Sequence, residues 1–461
     1  MKAVGISKYG PVDNLQSREV PKPSNPIGRQ ILVKVKACSV NPIDHKVRSG
    51  TYDDAPDYYE HVPKDFHIIG FDGAGVIEQT GPDCQLFKVG DEVSWVGATT
   101  EQGSYAEYQL VSELACAKKP KNLDFVDTAS YGLTFMTAYQ SLYRRMEVKP
   151  EEQAGILIGR VQQDQWWRWC WKCGYSACEK SSEASGRVAT ASRPETIDSC
   201  KRMGATHVIN HRGDLVKQIE ELNLDVPIKY IYIIARTEQY TESVAKICAP
   251  FGKVCTIVQA DVSLYGTEFM SKSLTFSWDW LGSAAYHNTG VEDYHEMLGT
   301  ISRLMEDGTL FSTVGTRLRL TLEGLKEAHK SVESSTTVGK IALGVDEPGE
   351  DDEPRTSQDL APLPRDVELG PADHQSESRT RGLKILFQKY FLSLCGWILA
   401  LVSTAVSIAA LLPAFRGLLL SDKQLRLAEW SALKDYLDQC KEDSVSGSST
   451  IKGISPSNFI R

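Results

Sequence analysis

Residues 154–200 read AGILIGRVQQDQWWRWCWKCGYSACEKSSEASGRVATASRPETIDSC, and the reading of this stretch decides the fold. It opens on an apolar run, Ala154 to Ile158, and returns at Arg187 to a second, RVATA. Similar runs recur at 207–210 (HVIN), 230–234 (YIYII) and 253–258 (KVCTIV), separated by helix-like segments such as PETIDSCKRMGA. Short apolar runs without polar alternation suit strands covered on both faces. Their alternation with helices predicts a doubly wound parallel sheet. A nucleotide-binding sheet of that kind needs glycines after its first strand, where backbone must approach phosphate. Here the first strand runs instead into Trp166, Trp167, Trp169 and Trp171, beside three cysteines, in a chain with nine tryptophans.

Three readings of residues 160–185 compete. Cys170, Cys173 and Cys178 have a suggestive spacing for a metal, but no fourth ligand lies nearby. An aromatic insertion for substrate or lipid would leave the nucleotide site destroyed within an otherwise preserved pattern. The third reading, an out-of-frame translation, is favoured by the genetic code. Tryptophan has a single codon, TGG, and a shift of one base turns it into GG plus any base, which is glycine. Residues 166–171 can then read G-G-G-G-V-G, and the continuation can read S-V-A-I-Q-L-A-K. In that shifted reading the stretch holds G-x-G-x-x-G followed by a helix-like segment.

The rest of the chain bounds the answer. Its 461 residues allow two to four domains, with 41% hydrophobic and 24% charged residues, ordinary for a globular protein. A net charge of −9 and the lack of a basic stripe argue against a nucleic-acid partner. Cysteines such as Cys38, Cys84, Cys116, Cys200, Cys248 and Cys255 are scattered singly, which suits a reducing compartment. MKAVGISKYG has no signal-peptide core, so a cytoplasmic enzyme unit is expected. Up to residue 125, runs such as QILVKVKACSV, GAGVIEQTG and GSYAEYQLV predict a small β-rich barrel. Residues 346–380 carry eleven acidic residues against three arginines and predict a disordered linker. The uncharged run 390–415, flanked by Lys389 and Arg416, is long enough for a single transmembrane helix, which would anchor the unit to a membrane. A short amphipathic helix and a frayed tail are expected over 416–461. The acidic linker and apolar run also suit two neighbouring genes merged into one reading frame.

VKVKACSVNPIDHKVRSG (33–50), IIGFDGAGVIEQTG (68–81), FKVGDEVSW (87–95), GSYAEYQLV (103–111) and LTFMTAYQSL (133–142) occur in order. By these motifs the chain resembles the medium-chain dehydrogenase/reductase superfamily, closest to its zinc-type alcohol dehydrogenase-like and quinone oxidoreductase branch. The resemblance covers about residues 1–343. It implies a GroES-like catalytic domain over 1–125, a Rossmann NADP-binding domain over 126–275 and a return to the catalytic domain over 276–343, with the active site between them. Homodimerisation is a habit of the family. Zinc-dependent members place Cys where this chain has Asn41 and His where it has Phe71, so no zinc is expected. The resemblance then implies hydride transfer from a nicotinamide to a small-molecule electrophile, a quinone or an α,β-unsaturated carbonyl. It assigns catalytic roles to Asn41 and Thr137, and cofactor contacts to Asn41, Pro42, Thr137, His211, Ala235, Val258 and Lys340. Ser192 and Arg193 stand at the tip of the second strand, with no acidic residue before Glu195, which favours NADPH over NADH. With the glycine loop missing from the chain, cofactor binding is impaired, and a dead, membrane-tethered pseudoenzyme or binding scaffold is the alternative.

Overall fold

The N-terminal alternating runs fold as strands β1 (Lys2–Ile6), β2 (Gln16–Glu19), β3 (Gln30–Val40), β4 (His67–Ile68), β5 (Asp72–Thr80), β6 (Glu92–Val96), β7 (Tyr108–Ser112) and β8 (Cys116–Lys118). The structure is a computed structural model that describes residues 1–51, 65–98, 101–149, 152, 154–159, 186–202, 204–334, 337 and 339–345. The long strand β3 is the spine, pairing antiparallel with both β5 and β7. Ile31, Val33 and Val35 enter one apolar cluster with Ile77, Val93 and Trp95. The pairing with β5 shifts register after Val35, and Cys38 and Val40 then enter a second cluster with Phe71, Tyr105 and Leu325. A bulge reverses which residues face which side. Here it delivers the end of β3 to a different core.

Helix α1 (Pro42–Ser49) follows at once, with proline in its first turn and Gly50 at φ +82° closing it. Proline lacks an N–H that this turn leaves unused anyway, and glycine adopts the left-handed cap without a Cβ clash. Helices α2 (Phe125–Ala129) and α3 (Gly132–Tyr139) lead out of the barrel.

The middle of the chain forms β9 (Gly155–Gly159), β10 (Arg187–Thr190), α4 (Pro194–Arg202), β11 (His207–Ile209), α5 (Leu215–Glu221), β12 (Ile228–Ile233), α6 (Thr237–Ile247), β13 (Lys253–Thr256) and β14 (Thr275–Trp278). The strands lie in the order β11-β10-β9-β12-β13-β14, and every neighbouring pair is parallel. That is the doubly wound order, with its switch point beside β9. Successive side chains point to opposite faces. Ile156, Ile158, Tyr230 and Tyr232 therefore meet Phe135 on one side, while Leu157, Ile231 and Ile233 meet Tyr240 and Val244 on the other. Both faces are covered, which is why these runs are apolar throughout.

β14 crosses the expected boundary at residue 275. Helix α7 (Glu292–Glu306) then packs Leu298, Ile301 and Met305 against the same face of the parallel sheet. The chain rejoins the barrel only with β15 (Val314–Arg319), α8 (Leu322–Glu333) and β16 (Lys340–Gly344). β16 pairs antiparallel with β3, setting Ile341 against Val40 and Ala342 against Ser39.

The tryptophan-rich stretch 160–185, the linker 346–380, the apolar run 390–415 and the tail 416–461 lie outside the described residues. Among the described residues, no helix is long and apolar enough to cross a membrane.

Candidate functional site

The register of β16 on β3 dictates the first meeting. With Ile341 opposite Val40, the next residues outward are Lys340 and Asn41, at the ends of their strands. Lys340 Nζ donates to Asn41 Oδ1 and, at 3.3 Å, to Thr134 Oγ1 of α3. It also stands 3.9 Å from Asp72 Oδ2 at the start of β5. Asp72 Oδ1 accepts from Ser39 Oγ at 2.6 Å. From the first turn of α1, Asp44 Oδ2 reaches back to accept the Asn41 N–H at 2.6 Å. Pro42 starts that turn. Lys340 is 1% exposed, and Asn41, Asp44 and Asp72 are fully buried.

Two carboxylates and one ammonium thus share a dry site. An unpaired buried charge costs several kcal/mol, so the groups are held by one another. Burial lowers the Lys340 ammonium below its ordinary range, against the pull of Asp72 and Asp44. Burial and the Asp72 charge push the Asp44 carboxyl up to about 7. Burial, reinforced by Asp72 and Asp44, also drives the Cys38 thiol well up, so it stays protonated. Gly70, at φ +111°, precedes this corner, and a Cβ there would collide with Ser104 and Tyr105.

The structure brings Asn41, Pro42 and Lys340 together as one group. Thr137 is buried on α3, but its hydroxyl bonds back to the Leu133 carbonyl at 2.8 Å. Thr134, one turn earlier, is the threonine that meets Lys340. Phe71 lies in the apolar cluster with Cys38 and Val40. Ser192 and Arg193 follow β10, His211 follows β11, Ala235 follows β12 and Val258 follows β13. Because those strands are parallel, these positions share the carboxyl edge of the sheet, where open α/β sheets bind ligands. Arg193 is half-buried at the entry to α4, its backbone N–H and carbonyl both bonded to Thr196 Oγ1. Val258 offers its carbonyl to Thr237 Oγ1 at 2.7 Å.

Sequence reasoning passed over Asp44, Asp72 and Thr134. It also passed over Asp279, just past β14. Asp279 is buried and accepts from Gln140 at 2.6 Å, Ser141 at 2.7 Å and Arg145 at 3.1 Å.

Comparison with known proteins adds independent ground. Residues 28–121 match the alcohol dehydrogenase GroES-like domain and residues 203–343 the zinc-binding dehydrogenase domain. A zinc-type alcohol dehydrogenase-like protein of Staphylococcus aureus is 32% identical over 362 residues, covering 75% of this chain and all of the relative. The chain belongs to the medium-chain dehydrogenase/reductase superfamily. Within that superfamily, human quinone oxidoreductase is 27% identical over 351 residues, covering 74% of this chain and 97% of the relative. A solved structure of a zinc-dependent alcohol dehydrogenase-type protein from Rhizobium etli superposes with a TM-score of 0.66 at 33% identity, over 76% of this chain and 99% of that one. Escherichia coli quinone oxidoreductase, solved with NADPH, shares the fold: TM-score 0.61, 22% identity, 75% and 100% coverage. The superfamily is one of oxidoreductases.

Proposed function

We propose that this chain is an NADPH-dependent reductase of quinones or α,β-unsaturated carbonyls that works without a catalytic zinc. The observation that carries the reading is the Lys340 ammonium seated on Asn41 Oδ1. It puts a fixed cation at the position where zinc-dependent members hold a thiolate. A zinc ion needs thiolate, imidazole or carboxylate donors. An amide oxygen already engaged by an ammonium, and the ring of Phe71, do not fit it.

When bound, the nicotinamide supplies the hydride. The chain's own residues do the rest. The carboxyl edge of the parallel sheet receives the dinucleotide, and the Arg193 guanidinium engages a 2′-phosphate. Quinones and enones are already electrophilic, so they need orientation and one donor aimed at the oxygen where charge collects. Lys340, positioned by Asn41, Thr134 and Asp72, is that donor. The names of the quinone oxidoreductase relatives agree with this substrate class.

The alternative, a binding scaffold, is favoured by one feature: residues 160–185 contain no G-x-G-x-x-G. Fluorescence titration with NADPH and NADH separates the two. It compares the full chain with one in which 166–171 is replaced by Gly-Gly-Gly-Gly-Val-Gly. The restored chain is expected to bind NADPH more tightly than NADH and to oxidise it with a quinone or enone. Binding by the unaltered chain would remove the case for a scaffold. Failure by both chains would sink the reductase reading.

A further inference from the structure

Helix α3 has one end in the barrel and the other on the parallel sheet. In its first turn Thr134 receives the Lys340 ammonium at 3.3 Å, and a Cβ on Gly132 would touch Val96 and the Trp95 carbonyl of β6. The chain stays α-helical to Tyr139, and the Gln140 N–H still bonds the Met136 and Thr137 carbonyls. Over Gln140–Arg145 the winding changes to a π turn, in which the Met146 N–H reaches back five residues to the Ser141 carbonyl at 2.9 Å. Such turns are rare and occur often at functional sites. An i→i+5 winding sets residue 145 over residue 140, where an α-helix would set residue 144. Gln140, Ser141 and Arg145 consequently aim their donors to one side, and all three end on Asp279. Gln140 Nε2 at 2.6 Å and Arg145 Nε at 3.1 Å share Oδ1, and Ser141 Oγ takes Oδ2 at 2.7 Å. Arg144 points instead toward α7, 3.8 Å from Asp293.

Asp279 is itself placed by the sheet. It follows β14, and its N–H bonds the Thr256 carbonyl at the end of β13 at 2.8 Å. Thr256 Oγ1 lies 2.6 Å from Thr237 Oγ1, which also bonds the Val258 carbonyl at 2.7 Å. Ser141 Oγ stands 3.1 Å from the Tyr232 hydroxyl of β12. Asp279 thus joins the helix that carries Thr134 to the carboxyl edge of the sheet, the edge that receives the dinucleotide in the reading above. We infer that Asp279 is a positioning residue for the reduction. Through Gln140, Ser141 and α3 it fixes where Thr134, and with it the Lys340 ammonium, stands relative to the nicotinamide. The inference rests on the reductase reading.

The role is mechanical. Asp279 is 3% exposed and makes no bond to Lys340, Asn41 or Asp72. Hydride comes from the sheet side and the donor to the substrate oxygen from the barrel side, so their relative placement limits the rate. A group misplaced by about 1 Å can cost on the order of 10²-fold. From Gln140 to Thr134 is six residues, about 9 Å at about 1.5 Å per residue. Over so short a length of continuous helix, a displacement at Gln140 arrives at Thr134 nearly whole. Removing the acid strands three donors and leaves nothing to gather residues 140, 141 and 145 on one side.

The test reads the Lys340 ammonium of the full chain by 1H–15N spectroscopy with 15N-lysine, its signal identified by its absence in Lys340→Met. In Asp279→Ala its exchange with solvent should quicken about tenfold or more, the sign of a loosened local site. Ser141→Ala, which removes one donor only, should give a smaller change in the same direction. Asp279→Asn should restore most of the protection, because its Oδ1 still accepts from Gln140 and Arg145 and its amide donates to Ser141 Oγ. Glu113→Gln is the control. Glu113 is a buried acid of the barrel held by Arg29 and the backbone N–H groups of Gln85 and Leu86, so its loss should lower Tm without moving the Lys340 signal. Unchanged exchange in Asp279→Ala and Ser141→Ala, no restoration in Asp279→Asn, or an equal change in Glu113→Gln would each overturn the inference. In the loop-restored chain, Asp279→Ala should lower kcat about 10²-fold while NADPH affinity stays within about twofold. A loss of NADPH affinity at constant kcat would also overturn it. Exchange that responds as expected in a loop-restored chain that never turns over would instead refute the reductase reading and leave the coupling of Asp279 to Lys340 standing.

Discussion

Replacing Lys340 with Met removes the single cation from a site that keeps two carboxylates. The side chain is 1% exposed and has Asn41, Thr134 and Asp72 as partners. Methionine preserves most of the volume, so the effect is electrostatic rather than a cavity. Breaking a buried pair by deleting one member costs about 3–5 kcal/mol, because the remaining charge stays buried. At roughly 2–4 °C per kcal/mol for a domain of 150–250 residues, Tm should fall by about 6–20 °C at pH 8. The loss must shrink on acidification. With the cation gone, the folded Asp44 carboxyl, pushed up to about 7 by burial and the Asp72 charge, stays above its unfolded value. A raised folded pKa gives stability that is complete below the unfolded pKa and lost as pH rises through the folded one. The deficit is therefore large at pH 8 and small near pH 5, and Lys340→Met with Asp72→Asn should recover much of it. Thermal melts of the four chains at both pH values form a double-mutant cycle. A pH 8 deficit under about 1 kcal/mol, or one equal at both pH values, would refute the shared-charge account.

Further outcomes follow from other features. Asp279→Ala leaves the donors of Gln140, Ser141 and Arg145 without their acceptor; urea melts should show a loss of about 3 kcal/mol or more. Arg193→Glu should weaken NADPH binding to the loop-restored chain by about tenfold or more, roughly one charge-assisted contact, and leave NADH little changed; equal losses for both cofactors would remove Arg193 from the 2′-phosphate. His329 and His45 are held near about 3 and about 4, well below the free imidazole. The unfolded chain binds their protons first, so they reduce stability as pH falls from about 6.5 toward 4. His329→Gln should flatten that part of a Tm-against-pH curve. Gly70→Ala, at φ +111° with Ser104 and Tyr105 in the way, should destabilise by about 1–3 kcal/mol in the same melts.

The strands of the parallel sheet were legible because burial on both faces leaves an unbroken apolar run, as in YIYII. β14 was not. It lies at the sheet's edge with its residues half or fully exposed, so TFSW carries no such run. The candidate site was legible only at its ends. Asn41 and Lys340 could be singled out by resemblance, but their pairing depends on the register of β16 on β3, which no local spacing encodes. Asp44 reads in NPID as an ordinary helix-start acid, and Asp72 in GFDG as a turn residue. Their burial comes from segments far along the chain, β16 and α8. Thr137 and Thr134 are one turn apart on the same helix, and only tertiary packing decides which hydroxyl is left for Lys340.

β16 is the last strand of the described chain to be made, and it joins a partner made among the first. The bond between Lys340 and Asn41 spans 299 positions. At about 5–20 residues per second on a ribosome, that separation is roughly 15–60 seconds of synthesis. During that interval Asp72 and Asp44 have no cation, and β3 keeps an open edge at Ala37 to Val40 with backbone donors and acceptors unclaimed. An open strand edge is a place where chains pair wrongly. The site is therefore also a timing problem. Nascent chains stalled before residue 340 should be the species that chaperones hold, and release should coincide with β16 emerging from the ribosome.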